Sequence, residues 1–252
     1  MEINELLDFT LDIGECLLSS GAETGRVEDT LTRIIRHFYR GHSEIFVVLT
    51  GFFVNIGAYT ETVRVHKRTI NLDRIARINK LSRDIVEDKA DFESAVKRLE
   101  EIKQSKPYPM WIKTPAVAVS CGFFTLLSAG GPADAMNSFI VGAVMNVIIN
   151  MLKNRGVTNF IVTFLGGAVI AFLTALIYYA GLGTSINAMI TGAIIPLVPG
   201  LAITNALRDI MDGDYLSGGA RLFDAVVVAV ALAAGAGAVM YMFGYMAGGI
   251  LK

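Results

Sequence analysis

Asn205 and Asp209 stand four residues apart, as do Thr204 and Arg208. A helix through them carries an amide and a carboxylate on one face and a hydroxyl and a guanidinium on the next. Just upstream, Pro196, Pro199 and Gly200 interrupt a run of 52 residues, 156–207, that contains no Asp, Glu, Lys or Arg. Each proline removes a backbone donor and crowds the carbonyl four residues back, freeing carbonyls where lipid supplies no partner. Discontinuous helices of this kind form substrate and ion sites in many secondary transporters. Pro196, Pro199, Gly200, Thr204, Asn205 and Arg208 are therefore candidate substrate-binding residues, Arg208 being able to hold a carboxylate bidentately. Asp209 and Asp224 are candidate proton carriers, since desolvation favours the neutral carboxyl. Asp212 and Asp214 complete an acidic group with them. The competing reading is a kinked helix followed by an ordinary cytoplasmic loop, with Arg208 only a topological charge.

A second charged cluster, Glu23, Arg26, Glu28 and Asp29, opens an N-terminal helix, where a solvated, capped first turn is the simpler account. His37, His42 and His66 lack metal-ligand spacing, and no nucleotide loop, CxxC, HExxH or G-x-S-x-G occurs. No metal or cofactor is expected, nor an enzyme, and nothing points to nucleic acid. Cys16 and Cys121 fall in different halves and read as buried thiols rather than a disulfide.

The elements that must position these residues differ in kind along the chain. Residues 1–113 hold 17 Lys/Arg and 18 Asp/Glu, whereas residues 114–252 hold five of each. In the first part, residues 2–19 have helical periodicity ended by Gly21, and a second amphipathic helix, with Ser20 and Glu23 at capping-box spacing, carries Val27, Leu31, Ile34, Ile35 and Phe38 on one face. EIFVVLT, FFVNIGAY and ETVRVHKR read as three strands. Two further helices follow, burying Leu72, Ile75, Ile78 and Leu81, then Phe92, Val96 and Leu99. This is an α+β domain over 1–111.

KPYPMWIK, with two prolines, Tyr108, Trp111 and two lysines, suits a headgroup layer. Spans are expected at 112–130, 134–152, 157–180, 185–210 and 219–250. The fold class is thus an α-helical polytopic membrane protein of about five transmembrane helices, one broken, carrying an N-terminal cytoplasmic α+β domain, with membrane domain 112–252. GGPAD and GLGTS carry no Lys or Arg, whereas the alternate connections carry Lys153 with Arg155 and Arg208 with Arg221. With no signal peptide apparent, the rule of positive cytoplasmic loops puts the N-terminal domain inside and Lys252 outside a cell (inner) membrane. Gly166, Gly167 and AAGAGAVMYMFGYMAGG suit close helix packing. Asn146 and Asn150, one turn apart, either bond a neighbouring helix or line a cavity.

PLVPGLAITNALRDIMDGDYLSGGAR, with LLSSGAETGRVEDTL near the N-terminus, resembles the threonine/serine exporter (ThrE-type) family over nearly the whole chain. The resemblance implies a secondary exporter of small metabolites driven by the proton motive force. It marks Pro196, Pro199, Gly200, Asn205, Arg208, Asp209, Ser217 and Gly218 as the functional segment, and Gly21, Arg26 and Glu28 as the matching part of the N-domain. Fused members of the family carry about ten spans, and this chain has five. It is similar to the larger subunit of split exporters for succinate-like dicarboxylates, which implies a second short membrane subunit and/or a homo-oligomer. A non-transporting membrane scaffold or sensor, whose N-domain receives a cytoplasmic signal, is the alternative, and a membrane-tethered enzyme the third.

Overall fold

The computed structural model describes residues 2–66 and 68–250, and the chain divides into two compact units. One holds residues 1–107 with 201–222, the other 108–200 with 223–252. Lys67, within the run expected as the third strand, and Lys252, expected outside the membrane, lie outside the described residues.

The first unit begins with α1 (Ile3–Ser19) and α2 (Thr24–Phe38), followed by β1 (Ser43–Val48), β2 (Gly51–Ile56) and β3 (Tyr59–Arg64), then α3 (Leu72–Val86) and α4 (Phe92–Lys103). The strands form an antiparallel sheet in the order β1-β2-β3, with Phe52 opposite Val47 and Val63. Alternation along β2 turns Phe52, Val54 and Ile56 into one buried cluster with Leu17, Leu31 and Ile78 of the helices. Phe46 and Phe53 instead stack on the outer face, their ring centroids 5.3 Å apart. A Cβ at Gly14 would lie 2.5 Å from the Phe52 ring, so glycine is what lets α1 press against the sheet.

Three local expectations are corrected. Ser20 and Glu23 form no capping box. Instead α1 closes with Gly21 at φ +86°, and the Gly21 and Ala22 amides return to Leu18 and Leu17 carbonyls, both at 3.1 Å. That closure makes Ser20 the C-terminal cap of α1 and starts α2 only after Glu23, whose side chain caps nothing in α2. Leu72 is exposed because it sits in the first turn of α3, ahead of the buried stripe Ile75, Ile78, Leu81 and Ile85. Val96 is exposed because the buried stripe of α4 runs through Ala95, Leu99 and Ile102.

The second unit contains α5 (Met110–Leu127), α6 (Pro132–Asn154), α7 (Asn159–Tyr179) and α8 (Ile186–Ile194), with most of the helix α10 (Tyr215–Ile250). Between α8 and α10 the chain forms a 3₁₀ turn, Ile195–Leu197, and α9 (Gly200–Met211). Among the described residues, α5, α6, α7 and Tyr215–Tyr245 are long and apolar enough to cross a membrane, and the broken pair α8–α9 adds a fifth if counted as one span.

Several polar groups in this unit find partners within it, whereas the buried Thr174 hydroxyl has none among the described residues. Asn146 Nδ2 donates to Thr114 Oγ1 at 2.8 Å, and Asn150 Nδ2 donates to the Asn146 carbonyl at 2.7 Å, so both amides are used between and along helices. Asp134, fully buried, accepts from the amides of Gly131, Thr184 and Ser185 and from the Thr184 hydroxyl at 2.6–3.2 Å. It fastens the start of α6 to the loop before α8. Cys16 and Cys121 are both buried and free.

Helices α7 and α10 approach through glycine. A Cβ at Gly167 would lie 2.3 Å from the Leu232 carbonyl oxygen and one at Gly235 only 1.9 Å from that of Phe164, whereas Gly237 has nothing within 4 Å. Gly235→Val is expected to destabilise the fold by roughly 1–3 kcal/mol through overpacking. Gly237→Val is the control. Thermal unfolding in detergent micelles should show a lowered midpoint for the first variant only, and equal midpoints would contradict the close approach.

Candidate functional site

The residues singled out by spacing divide between the two units. In the second, α8 ends at Ile194, and Pro196 lacks the N–H that would have reached the Gly192 carbonyl. The 3₁₀ step offers a substitute at the next proline: the Val198 amide donates to the Ile195 carbonyl at 3.1 Å, the group that Pro199 cannot serve. Val198 is extended, φ −65° and ψ 132°, as a residue before proline prefers. The Gly200 amide then turns back to the Val198 carbonyl at 2.8 Å. Pro196 and Gly200 are exposed and Pro199 is half-buried. Asp224 is exposed on α10, and none of the described hydrogen bonds or ion pairs involves it.

Within the first unit, α9 turns Asn205, Ala206 and Asp209 inward and leaves Thr204, Leu207 and Arg208 outward. The inward face meets the corner between α1 and α2. Asn205 Nδ2 donates to the Gly21 carbonyl at 3.0 Å. Asp209, only 1% exposed, accepts through Oδ1 from the Thr24 amide and hydroxyl, both at 3.2 Å, and through Oδ2 from Arg221 Nε at 3.1 Å. Arg221 Nη2 in turn donates to the Ala22 carbonyl at 3.1 Å. The first amides of any helix lack internal partners and lie at its positive pole. Asp209 serves as the cap that Glu23 does not provide.

Around this buried centre lies a second layer. Glu23 is buried and bonds Arg26 Nε at 2.6 Å and Arg208 Nη1 at 2.5 Å, so the solvated-turn account of this cluster does not hold for it. Burial opposes its ionisation, but the Arg26 hydrogen bond, a backbone N–H and the charges of Arg26 and Arg208 outweigh burial and hold its carboxyl below the usual range. Asp214 caps the start of α10 by accepting from the Ser217 amide at 3.0 Å and also receives the Thr24 hydroxyl at 2.8 Å. Burial works against this carboxylate too, and the Ser217 and Thr24 bonds with the Arg221 charge prevail. The Ser217 hydroxyl accepts from the Leu49 amide at 3.2 Å. A Cβ at Gly218 would lie 2.9 Å from the Ala206 carbonyl oxygen, so glycine there lets α10 pack on α9.

Beside the corner is a cleft of about 490 Å³, lined by Thr24, Glu28, Asp29, Asp212 and Asp214 among others. Partial burial and the Asp214 charge push the Glu28 carboxyl up. Asp29 is paired with Arg33. Among the described residues no group of three His, Cys, Asp or Glu side chains could hold a metal ion.

The structure thus gathers Gly21, Arg26, Asn205, Arg208, Asp209, Ser217 and Gly218, places Glu28 at the cleft and Thr204 on the outer face of α9, and leaves Pro196, Pro199, Gly200 and Asp224 in the other unit. Spacing alone missed Thr24, because a threonine at a helix start carries no distinctive signal. Arg221 had one: a lone cation near the head of an apolar span needs a counter-charge.

Removing one member of a buried ion pair strands the other, at a cost of about 3–5 kcal/mol. Asp209→Ala and Arg221→Leu should each destabilise strongly, and the double variant by clearly less than the sum; additive losses in a double-mutant cycle would refute the pairing. A carboxyl held below its ordinary value contributes stability above about pH 4.3 that is lost as pH falls through the lowered folded value. The melting temperature should therefore drop on acidification below this range, and more shallowly in Glu23→Gln than in the wild type.

The ThrE family, described as "Putative threonine/serine exporter", matches residues 8–243. A protein of Mycobacterium tuberculosis named "Probable threonine/serine exporter" is 24% identical over 93% of this chain and 46% of its own length. The "Threonine/serine exporter" of Corynebacterium glutamicum is 25% identical over 94% of this chain and 51% of its own. The chain spans about half the length of these two exporters. The "Probable succinate transporter subunit YjjP" of Klebsiella aerogenes is 25% identical, with 90% of both chains covered. No solved structure matches. With a family match covering nearly the whole sequence and, among the described residues, four to five apolar helices of spanning length, the chain belongs to the ThrE family of multi-pass membrane transport proteins.

Proposed function

We propose that this chain is one subunit of a secondary transporter in the cell (inner) membrane that exports small metabolites, either threonine/serine-like amino acids or small dicarboxylates such as succinate, driven by the proton motive force. The observation that carries the reading is the pairing of a helix break with a polar, ionisable α9 inside a chain of the ThrE family. In this reading substrate meets the backbone at Pro196, Pro199 and Gly200, with Thr204, Asn205 and Arg208 downstream. Arg208 draws the anionic end. Asp209 or Asp224 carries the proton, and Gly21, Arg26 and Glu28 belong to the N-terminal side of the same machinery.

The N-terminal domain is cytoplasmic and the C-terminus outside, following the positive loops. No enzymatic step or cofactor enters. The similarity to relatives named as transporter subunits, at nearly equal length, supports a second short membrane subunit of the family, alone or alongside self-association. The alternative, a scaffold or sensor, draws on the corner's grip on α9, through which the N-terminal unit could pass a signal.

Flux separates the two. In energised inside-out vesicles containing this chain and a co-expressed short family subunit, labelled threonine, serine or succinate should accumulate several-fold faster with an acid interior than after the pH gradient is collapsed. Equal rates for all three substrates would favour the scaffold.

A further inference from the structure

The Thr24 hydroxyl stands between two carboxylates, with Oγ1 3.2 Å from Asp209 Oδ1 and 2.8 Å from Asp214 Oδ2. A threonine hydroxyl has one proton and two lone pairs, so it cannot donate fully to both. When it donates to the nearer Asp214, a lone pair faces Asp209 Oδ1. That contact is repulsive if Asp209 is ionised and a hydrogen bond if Asp209 carries a proton. The geometry therefore accommodates either state through one hydroxyl.

The two carboxylates differ in access. Asp209 is 1% exposed, whereas Asp214 is half-buried and lines the acidic cleft. The side-chain partners of Asp209 among the described residues are Thr24 and Arg221, and a guanidinium is a donor with no acceptor atom for a proton. The hydroxyl is thus the link from the buried carboxylate to the carboxylates that line the cleft.

We propose that Thr24 is a proton relay between Asp209 and the cleft, with Asp214 as its outer terminus. The inference rests on the exporter reading and adds the route its proton takes. In the step, the O–H bond of protonated Asp209 breaks as its proton binds Thr24 Oγ1, while the original hydroxyl proton passes to Asp214 Oδ2. Two O–H bonds break and two form, and Thr24 ends neutral. Reversal reloads Asp209. Arg221 of α10 faces Asp209 and favours the ionised form. Glu28 and Asp29 of α2, with Asp212, line the cleft with Asp214, Asp29 being paired with Arg33, while Glu23, Arg26 and Arg208 are paired among themselves at the corner.

Thr24→Val removes the hydroxyl at equal shape, and Thr24→Ser keeps it. In the vesicles above, the ratio of gradient-driven flux to substrate exchange without a gradient should fall about tenfold or more in Thr24→Val and stay near the wild-type ratio in Thr24→Ser. An unchanged ratio in Thr24→Val overturns the relay. A wild type without gradient-driven flux overturns the exporter reading instead, and a transport-free measurement then decides the relay. After a pH jump on the purified full chain, the Asp209 carboxyl infrared band, identified by its loss in Asp209→Asn, should respond about tenfold more slowly in Thr24→Val than in the wild type or Thr24→Ser. Equal rates overturn the proposal. If Thr24→Val does not fold, Asp214→Asn removes the terminus while keeping an acceptor for the Ser217 amide, with the same expected and overturning results.

Discussion

A carboxylate shut away from water must be answered by donors, and Asp209 is the group the first unit is arranged to answer. Its three donors come from the start of α2 and from the first part of α10, elements separated by more than 180 residues of sequence. Each donor has a further structural duty. The Thr24 amide is an orphan of the helix start, and Arg221 also holds the Ala22 carbonyl. Removing the carboxylate would leave a helix terminus uncapped and a guanidinium buried without a counter-charge. This explains why 201–222 belongs to a compact unit with residues 1–107 although hydropathy alone groups it with the apolar helices.

The apolar helices and the three strands were legible because hydropathy and alternation are local properties. Charge-free runs bounded by Lys153 and Arg155, or by Asp224, mark helices of spanning length whatever their neighbours do. The helix break was legible for the same reason, since proline acts on its own backbone. The partner of Arg208 was not. A guanidinium beside a helix break could answer a ligand or a side chain, and the choice of Glu23 depends on a contact 185 residues away. The capping box failed for a different reason: the Ser20 and Glu23 spacing is right, but Gly21 in the left-handed region ends α1 between them. A spacing rule cannot see which helix a junction residue joins.

The same logic sorts the polar groups of the second unit. Asp134 accepts from four donors at the start of α6, while Asn146 of that helix donates to Thr114 and Asn150 donates to Asn146. These groups are structural. Asp224 remains exposed, in a position where an apolar span begins, so its carboxylate is available in a way that Asp134 is not. Two candidate proton carriers thus differ in kind: Asp209 is buried and linked to a hydroxyl, and Asp224 is open.

The two ion pairs of α9 also differ in what it costs to open them. Asp209 and Arg221 are almost wholly enclosed, with side chains 0% and 10% exposed, so parting them leaves charges that water cannot reach. Arg208 is 52% exposed, so its guanidinium regains water when it parts from Glu23, whose own side chain is 10% exposed. Glu23 has a second partner in Arg26, so releasing Arg208 does not leave it unpaired. Parting Arg208 from Glu23 therefore costs less than parting Asp209 from Arg221, and the inner pair keeps α9 in place. The difference follows from burial: the outer pair of α9 is open to water on its Arg208 side and the inner pair is closed.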